Sequence, residues 1–183
     1  MKTEYQKMLA GELYDASDEQ LTTMRIQVRA WMQEYNQSGY DKQQREIVLK
    51  KMLGKTGSNI DIQTPFYIDY GSHIEVGDNF FANFNCVFLD CNYIKMGNNV
   101  FLGPNVQMYA AHHPVIAEER IKGPELASPI TIGDNVWIGG GAIICAGVTI
   151  GDNTTIGAGS VVVKNIPANV LAVGNPCRVI RNL

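Results

Sequence analysis

The hydrophobic pattern of the chain changes near residue 57. Before that point, apolar residues recur every three or four positions, which is the spacing of one face of a helix. The longest such stripe consists of Leu21, Met24, Val28, Trp31, Met32 and Tyr35. After that point, aliphatic residues recur every six positions, which is neither helical spacing nor the alternation of an ordinary strand. The pattern therefore predicts a helical segment at 1–57 and a repetitive segment at 58–183.

Polar residues at the ends of the apolar stripes predict where the first two helices begin and end. Thr3 can cap a short helix that ends near Gly11. Ser17-Asp-Glu-Gln20 has the form of a capping box and predicts the start of the second helix. Asn36-Gln-Ser-Gly39 interrupts the apolar stripe and ends that helix.

A third helix is predicted in the remainder of the helical segment. It begins near Asp41, which can cap it, and stops at Gly54. We expect it to bury Ile47, Val48 and Met52.

The six-residue repeat predicts a coil of short strands. One aliphatic series consists of Ile132, Ile138, Ile144, Ile150, Ile156 and Val162. A companion series lies two residues ahead, at Ile130, Val136, Ala142, Val148, Thr154 and Ser160. Each unit fits a very short strand and a turn, and three units close a triangular coil of about 18 residues. The strict register favours this solenoid over an ordinary β-sandwich.

The repeat is interrupted twice. Residues 89–93 contain two residues too many, so we expect them to bulge from the coil. Residues 109–129 lack the repeat, which then resumes in phase at Ile130. In-phase resumption indicates an excursion from a turn, and long loops on rigid scaffolds usually serve function.

Composition limits the classes of function. Hydrophobic residues make up 45% of the chain and charged residues 18%, which indicates a globular protein. The net charge is −3 with scattered basic residues, so we expect no extended nucleic-acid surface. We also expect no signal peptide, no membrane span and a cytoplasmic location. The cysteines contain no C-x-x-C pair and are interpreted as free thiols: Cys86, Cys91, Cys145 and Cys177.

Several motifs resemble those of the maltose and galactoside O-acetyltransferases, over essentially the whole chain. They are Ala10-Gly-Glu-Leu-Tyr14, Phe80-Phe-Ala-Asn83-Phe-Asn85, His113-Pro114, Asn135-Val-Trp137-Ile-Gly139 and Asn175-Pro-Cys-Arg178-Val-Ile. This resemblance implies a mainly β fold: a left-handed parallel β-helix with an N-terminal helical segment and a long excursion loop. It also implies an enzyme that uses acetyl-CoA to acetylate a small sugar, acting as a homotrimer with active sites between subunits.

The resemblance places His113 as the catalytic base and Asn83 as a residue facing both acceptor and base. A hydroxyl is a weak nucleophile at neutral pH, and histidine is the side chain best suited to remove its proton. An amide can both donate and accept, so Asn83 can orient the hydroxyl or the tetrahedral intermediate. His112 is interpreted as a bystander or a loop-packing residue, and His73, in a turn, is not expected to have a role.

Five residues are predicted to bind the acceptor, namely Asn85, Asp90, Cys91, Arg25 and Glu125. Cys91 stands where the galactoside branch has an acidic sugar contact, with Asp90 beside it. Because a thiol cannot clamp two sugar hydroxyls as a carboxylate can, this departure favours a maltose-like or glucose-like acceptor. With no evident activating partner, Cys91 is not expected to be a nucleophile.

The acetyl-CoA contacts that the resemblance implies are Trp137, Gly140, Ala158, Val163, Lys164, Arg178 and Arg181. Trp137 would line the active site, and the Gly140 N–H would stabilise the developing oxyanion. The basic residues offer charge for the phosphates.

No metal site is predicted, because two of the three histidines are adjacent, an arrangement that suits a single metal ion poorly. Two alternatives remain open at this point. One is the same chemistry on a non-sugar acceptor, such as an antibiotic alcohol or serine. The other is a non-catalytic solenoid that binds a sugar or nucleotide.

Overall fold

The computed structural model describes residues 1–39 and 41–183. Within this part the helices are α1 (Glu4–Leu9), α2 (Glu19–Gln37), α3 (Lys42–Met52) and α4 (Ala117–Arg120). The strands are β1 (Lys55–Thr56), β2 (Asp61–Ile62), β3 (Phe66–Ile68), β4 (Ile74–Val76), β5 (Phe81–Ala82), β6 (Cys86–Leu89), β7 (Ile94–Met96), β8 (Phe101–Leu102), β9 (Gln107–Tyr109), β10 (Ala111–His112), β11 (Leu126–Ala127), β12 (Ile130–Ile132), β13 (Trp137–Ile138), β14 (Ile143–Cys145), β15 (Thr149–Ile150), β16 (Thr155–Ile156), β17 (Val161–Val162), β18 (Val170–Val173) and β19 (Arg178–Asn182).

The short strands form three parallel faces of a triangular prism. The first face has the order β1-β4-β7-β12-β15, and the third has the order β17-β14-β9-β6-β3. The second face has the order β19-β18-β16-β13-β8-β5-β2, with β19 antiparallel at its end. Successive strands of one coil belong to successive faces, so each strand inside a face pairs with the coils above and below it. The predicted fold class, a mainly β chain with a left-handed parallel β-helix, is confirmed, with about six turns.

The core follows the six-residue repeat. Every member of the predicted aliphatic series is almost completely buried: Ile132, Ile138, Ile144, Ile150, Ile156 and Val162. Burying such a side chain contributes about 2–3 kcal/mol. Two polar members of the companion series are also buried, and each bonds a backbone carbonyl: the Thr154 hydroxyl donates to Pro167 at 2.9 Å and the Ser160 hydroxyl to Gly157 at 2.6 Å. Hydrogen bonding makes these polar positions tolerable inside the coil.

The corner between the first and second faces, here called the asparagine corner, consists of stacked left-handed asparagines. Its members are Asn59, Asn79, Asn99, Asn135, Asn153 and Asn169, with φ between 54° and 59°. Each of the first five donates its side-chain amide to the next asparagine at 2.8–2.9 Å. Asparagine tolerates positive φ better than most residues, and the ladder pairs its amide groups. This explains why Asn recurs in the turns of the repeat.

The corner between the third face and the next first face, here called the loop corner, holds every insertion in the repeat. It comprises residues 69–73, 89–93 and 109–129 on three successive coils. The predicted bulge at 89–93 is present, but it is covered by the N-terminal segment: Asp90, Cys91 and Asn92 are all buried. The insertion at 69–73 was not predicted. The three insertions therefore stack on one edge of the prism.

The excursion loop contains regular structure. Strands β10 and β11 form an antiparallel stem in which Ala111 faces Ala127 and His112 faces Leu126. Helix α4 lies at the far end of the loop. The predicted excursion at 109–129 is thus a hairpin stem with a helical tip.

The first two helix starts differ in how well they match the sequence. The capping box at Thr3 is present. The cap of α2 is Asp18 rather than Ser17, because the Asp18 carboxylate accepts the N–H groups of Gln20 and Leu21. Ser17 instead donates its hydroxyl to Asp15 at 2.7 Å. A carboxylate is a stronger acceptor at a helix N-terminus, so the predicted capping box was wrong by one residue.

Helix α3 begins after the predicted cap Asp41. The prediction that Ile47 is buried was wrong, since its side chain is 50% exposed. The buried face consists instead of Arg45, Val48, Leu49 and Met52. The burial of Arg45 is tolerated because its guanidinium donates a hydrogen bond to the Ile62 carbonyl at 3.3 Å, at the open end of the solenoid.

The helical segment closes the N-terminal end of the prism. The Tyr35 hydroxyl also donates to the Ile62 carbonyl, at 2.6 Å, so the edge strand β2 is covered. The solenoid itself starts at β1, which pairs with β4. The division between 57 and 58 stays a prediction. No helix within residues 1–39 and 41–183 has the length and apolar character needed to cross a membrane.

Candidate active site

The predicted site residues divide between two corners of the prism. His113, Arg25, Cys91 and Glu125 lie at the loop corner or on the helices that cover it. The corner between the second and third faces, here called the glycine corner, is formed by 83–85, 103–105, 139–141 and 157–159. It contains the predicted site residues Asn83, Asn85, Gly140 and Ala158. One face separates the corners by roughly 15–20 Å, since it spans five or six residues at about 3.3 Å each. A single protomer therefore does not bring the two groups together.

His113 directly follows β10 and is exposed. Its neighbour His112 points into the stem, where Nε2 lies 3.2 Å from the Ser128 hydroxyl. Burial lowers the pKa of His112, which favours its neutral form. The loop beyond is tied back on itself, because the Arg120 guanidinium donates to the carbonyls of Pro114 and Val115. The stem thus holds His112 as a structural residue and presents His113 outward.

A partly buried polar cluster lies beside this stem. Arg25 donates to the Tyr70 hydroxyl at 2.5 Å, and the Tyr14 hydroxyl donates to Glu125 at 2.7 Å. The Cys91 thiol lies 3.7 Å from an oxygen of Asp69. Arg25 and Glu125 are therefore brought to one place, as the prediction that both bind the acceptor requires.

Asp69 is the charged residue of this cluster that the sequence analysis missed. Burial raises the pKa of its carboxyl group, although Arg25 acts in the opposite direction. The signal was available, because residues 69–73 carry the same two extra positions as residues 89–93. An acidic residue follows the third-face strand in both coils, so the two insertions could have been compared.

Asp90, predicted to contact the sugar, is completely buried. One carboxylate oxygen accepts the backbone N–H groups of Asp69 and Tyr70, both at 2.9 Å. Burial raises the pKa of Asp90 to about 7. In this arrangement the carboxyl group organises the turn and is not open to a ligand, so the structure does not support a direct sugar contact.

Cys91 is likewise buried, and burial raises the pKa of its thiol. A thiol held in its protonated form is a poor nucleophile. All four cysteines are free.

Two backbone N–H groups at the glycine corner take no part in the backbone hydrogen bonds between coils. Within the described chain, the N–H groups of Gly140 and Ala158 donate to no backbone carbonyl, and both residues lie on adjacent coils. The Asn83 side-chain oxygen accepts the N–H of Phe84 at 2.8 Å, which leaves its amide nitrogen to donate elsewhere. Asn85 has a φ of 60°, so its observed role is to make the turn.

Aromatic and basic side chains flank this corner. Trp137 is 57% exposed on the outer side of the second face. Val163 and Lys164 are exposed at the end of β17. Arg178 and Arg181 are exposed on β19, the terminal strand of the second face. These residues are available to a ligand, but the protomer does not gather them into one pocket.

Two clefts border the excursion loop. One of about 410 Å³ is lined by Tyr109, Ala111, His112, Ser128, Cys145 and Ala146. Another of about 750 Å³ lies between the N-terminal segment and the loop, where Tyr14, Ser17 and Lys122 are among the lining residues. Across residues 1–39 and 41–183 there is no group of three His, Cys, Asp or Glu side chains arranged to hold a metal ion.

Two family models match the chain. The maltose acetyltransferase hexapeptide capping motif matches residues 7–57. The bacterial transferase hexapeptide model, which comprises six repeats, matches residues 129–164. These matches cover the helical segment and the most regular part of the β-helix.

The chain is similar to several acetyltransferases, and the similarity extends over nearly the whole length of each. The galactoside O-acetyltransferase of Escherichia coli is 44% identical, covering 97% of this chain and 88% of that protein. A maltose O-acetyltransferase structure from Clostridium difficile superimposes with a TM-score of 0.98 at 50% identity, covering 100% and 98% of the two chains. A hexapeptide-repeat acetyltransferase from Vibrio cholerae, in complex with acetyl coenzyme A, gives 0.93 at 36% identity, covering 100% and 99%.

Proposed function

The chain belongs to the maltose and galactoside O-acetyltransferase family, and we propose that its acceptor is a small sugar of the maltose or glucose type. As a member of this family it is an acetyltransferase that uses acetyl-CoA. The proposal of a sugar acceptor is carried by one observation: Arg25 and Glu125 lie close enough to Asp69 for their charges to act on its carboxyl group, and Glu125 belongs to the loop that bears His113. The preference for maltose or glucose rests on Cys91, which stands where the galactoside branch has an acidic sugar contact. Carboxylate and guanidinium groups are the side chains best able to hold several sugar hydroxyls at once. We place the enzyme in the cytoplasm, where acetyl-CoA is available.

We propose that the enzyme is a homotrimer with each active site between two subunits. His113 and Gly140 lie on different corners of one protomer, so a site that uses both needs the loop corner of one subunit and the glycine corner of its neighbour. The distribution of outward side chains supports this assembly. The first face presents Glu75, Lys95 and other polar residues, whereas the second presents Phe101 and Trp137. Exposed apolar side chains of this size favour a protein interface.

The loop tip supports the same proposal. Val115, Ile116 and Ile121 are 92%, 59% and 81% exposed. Three bulky aliphatic side chains on one projecting loop gain free energy by packing against a neighbouring subunit. The loop would then reach from its own corner towards the glycine corner next door.

In the proposed reaction, His113 removes the proton from the sugar hydroxyl as the oxygen attacks the thioester carbonyl. The Gly140 N–H, which donates to no backbone carbonyl within residues 1–39 and 41–183, donates to the oxygen on which negative charge develops. The free amide nitrogen of Asn83 orients the hydroxyl or donates to the same intermediate. The coenzyme A thiolate leaves as the carbonyl re-forms, and the proton held by His113 is returned to it.

We propose direct transfer in a ternary complex rather than an acetyl-cysteine intermediate. Cys91 is buried and its pKa is raised, so it is a poor nucleophile. Initial-rate kinetics distinguish the two schemes, since a ternary complex gives intersecting double-reciprocal lines. Parallel lines would indicate a covalent intermediate and contradict the proposal.

The donor groove is proposed to run along the glycine corner to the C-terminal hairpin. Ala158 offers a second N–H, without a backbone partner in the described part of the chain, to the amide carbonyls of the pantetheine arm. Trp137 and Val163 supply apolar contact area. The charges for the phosphates come from Lys164, Arg178 and Arg181, all of which are exposed.

The acceptor is tested by thiol release from acetyl-CoA in the presence of maltose, glucose, a galactoside or chloramphenicol. We expect acceptor-dependent release with maltose or glucose. Release only with chloramphenicol would assign a different acceptor class. Binding of acetyl-CoA without release in any of the four would contradict the sugar proposal.

The base is tested with His113→Ala. Removing a general base lowers turnover by roughly 10²–10⁴-fold, while affinity for acetyl-CoA should change little. The control is His112→Gln, which removes a neighbouring imidazole but keeps a hydrogen-bonding group near Ser128. Full turnover in His113→Ala would make the base assignment wrong.

The shared site is tested by mixing subunits. His113→Ala damages the loop corner and Asn83→Ala the glycine corner, so a mixed trimer contains some sites with two intact halves. Random assembly from equal amounts restores about a quarter of the sites, because each half is intact with a probability of about one half. No recovery on mixing would contradict an active site between subunits.

A further inference from the structure

The N-terminal segment and the stem of the His113 loop share a hydrophobic core of their own. This second core is separate from the core of the prism and consists of Met8, Tyr14, Leu21, Tyr70, Cys91 and Ala127. It unites α1, the start of α2, two loop-corner insertions and strand β11. The segment therefore does more than close the end of the solenoid, because its first residues run along the side of the prism to the loop.

One buried side chain connects these parts. The amide nitrogen of Asn92 lies 3.2 Å from the carbonyls of Met8 and Leu9 and 3.3 Å from the carbonyl of Ala127. The first two are carbonyls at the C-terminal end of α1, where the last carbonyls have no partner within the helix; the Met8 carbonyl also accepts the Gly11 N–H at 3.2 Å. Asn92 also accepts the N–H of Tyr93 at 2.8 Å, which fixes the orientation of the amide. At 2% exposure it cannot touch a substrate.

Two further contacts join the N-terminal segment to the chain around β11. Tyr14 and Glu125 form a two-way backbone bridge, with N–O distances of 3.1 and 3.0 Å, in addition to their side-chain bond. Gly11 adopts a φ of 71° and approaches the Ala127 carbonyl so closely that an added Cβ would lie 3.3 Å from it. The N-terminal segment thus contacts β11 at Ala127 and the chain just before the strand at Glu125.

Strand β11 in turn determines where the base lies. It pairs with β10, whose last residue is His112, and His113 follows immediately. Only two strand residues on each side form this stem, so it has few hydrogen bonds of its own. A two-residue hairpin of this kind is not stable without support from another element.

From these contacts we infer that Asn92 is a positioning residue for catalysis, which holds the stem so that His113 meets the acceptor hydroxyl. The inference rests on the proposed role of His113 as the base. A displacement of about 1 Å at a reacting group can lower the rate by up to about 100-fold. Asn92 acts through the carbonyls of Met8, Leu9 and Ala127, without contact to either substrate.

The test compares Asn92→Ala with Asn36→Ala. Asn36 is a matched control, because its amide also bridges a helix to a strand: it donates to the Phe66 carbonyl at 3.0 Å and accepts the Phe66 N–H at 2.9 Å, away from the loop. We expect Asn92→Ala to lower kcat about tenfold or more at every pH, with the KM for acetyl-CoA changed less than about twofold. Asn36→Ala should keep kcat within about twofold despite a similar loss of thermal stability.

Amide hydrogen exchange of the folded variants supplies a readout that does not depend on activity. The Ser128 N–H, bonded to the Ala110 carbonyl, should exchange faster in Asn92→Ala and at the parent rate in Asn36→Ala. Equal kcat in the two variants, or unchanged exchange at Ser128, would overturn the inference. A failure of the base assignment is detected separately, by full turnover in His113→Ala.

Discussion

Asp90→Asn is expected to stabilise the protein at alkaline pH and to have little effect at acid pH. The Asp90 carboxyl group is completely buried, with one oxygen bonded to two backbone N–H groups. The other oxygen is buried and, within the described chain, has no hydrogen-bond partner. Ionisation in this position is disfavoured, which is why the pKa is raised to about 7.

The size of the effect follows from the difference between the folded and unfolded states. In the unfolded chain Asp90 ionises with a pKa near 3.8. Between about pH 4 and 7 the folded protein therefore holds a proton that the unfolded chain has lost, so stability falls as the pH rises through this window. A difference of about three pKa units corresponds to ~4 kcal/mol above pH 7. Asparagine keeps the oxygen that accepts the two N–H groups and cannot ionise, so the stability of the variant should not fall as the pH rises through this window.

The groups that face Asp90 affect the size of this pH-dependent difference in stability. Asp69 raises the pKa of Asp90 by repulsion, and the imidazole Nδ1 of His73 lies 2.6 Å from the Asp90 backbone carbonyl. Cys91 remains protonated, since burial raises its pKa. The replacement also removes a charge that repels Asp69, and the measured difference therefore belongs to the pair.

The assay is urea unfolding at pH 5, 6, 7 and 8, at one protomer concentration because assembly contributes to stability. The gain of Asp90→Asn over the parent should grow from pH 5 to 7 and level off by pH 8, where Asp90 is ionised in both states. The control Asp78→Asn replaces a carboxylate whose pKa is lowered by hydrogen bonds from Ser58, so its effect should be constant over this range. A difference that is equal at pH 5 and 8, or larger at pH 5, would refute the reasoning.

Three other predictions concern the solenoid, and the same unfolding assay measures the loss in free energy of unfolding for each. Asn99→Ala should cost about 2 kcal/mol because it loses two ladder hydrogen bonds and keeps a φ of 55°, whereas Asn99→Gly should cost about 1 kcal/mol less; equal losses would contradict the strain argument. Gly103→Ala should cost about 2–3 kcal/mol and, in the thiol-release assay, lower kcat, since its Cβ would lie 2.5 Å from the Gly140 nitrogen and displace the proposed oxyanion donor; an unchanged kcat would contradict the role of that N–H. Ile144→Ala should cost about 3–4 kcal/mol and Ile47→Ala less than about 1 kcal/mol, because Ile144 is buried and Ile47 half exposed.

The register of the solenoid could be predicted because its cause is local. Each coil repeats the same strand and turn, so the inward positions of one unit are the inward positions of all. Ile138 and Ile156, read as core from spacing alone, are both buried. The in-phase return at Ile130 was likewise interpreted correctly, since β12 pairs directly with β7.

The candidate site was less predictable because its parts come together only through stacking. Asp69 and Cys91 are far apart in sequence, and they meet because their coils carry insertions at the same corner. Asp90 was assigned to the acceptor as the neighbour of a position known from relatives, yet its carboxyl group turns inward to the backbone of Asp69. Spacing cannot tell which of two adjacent turn residues faces the ligand.

What the sequence by itself determined is the coil: a period of six with inward aliphatic residues and Asn or Gly in the turns, since these depend on local geometry. The motifs also identified the family and the base candidate His113. The tertiary structure alone decided which insertions share an edge, which carboxyl group is buried and what supports the loop. Those features depend on contacts between residues such as Met8, Asn92 and Ala127, whose proximity is a property of the closed prism and not of any local pattern.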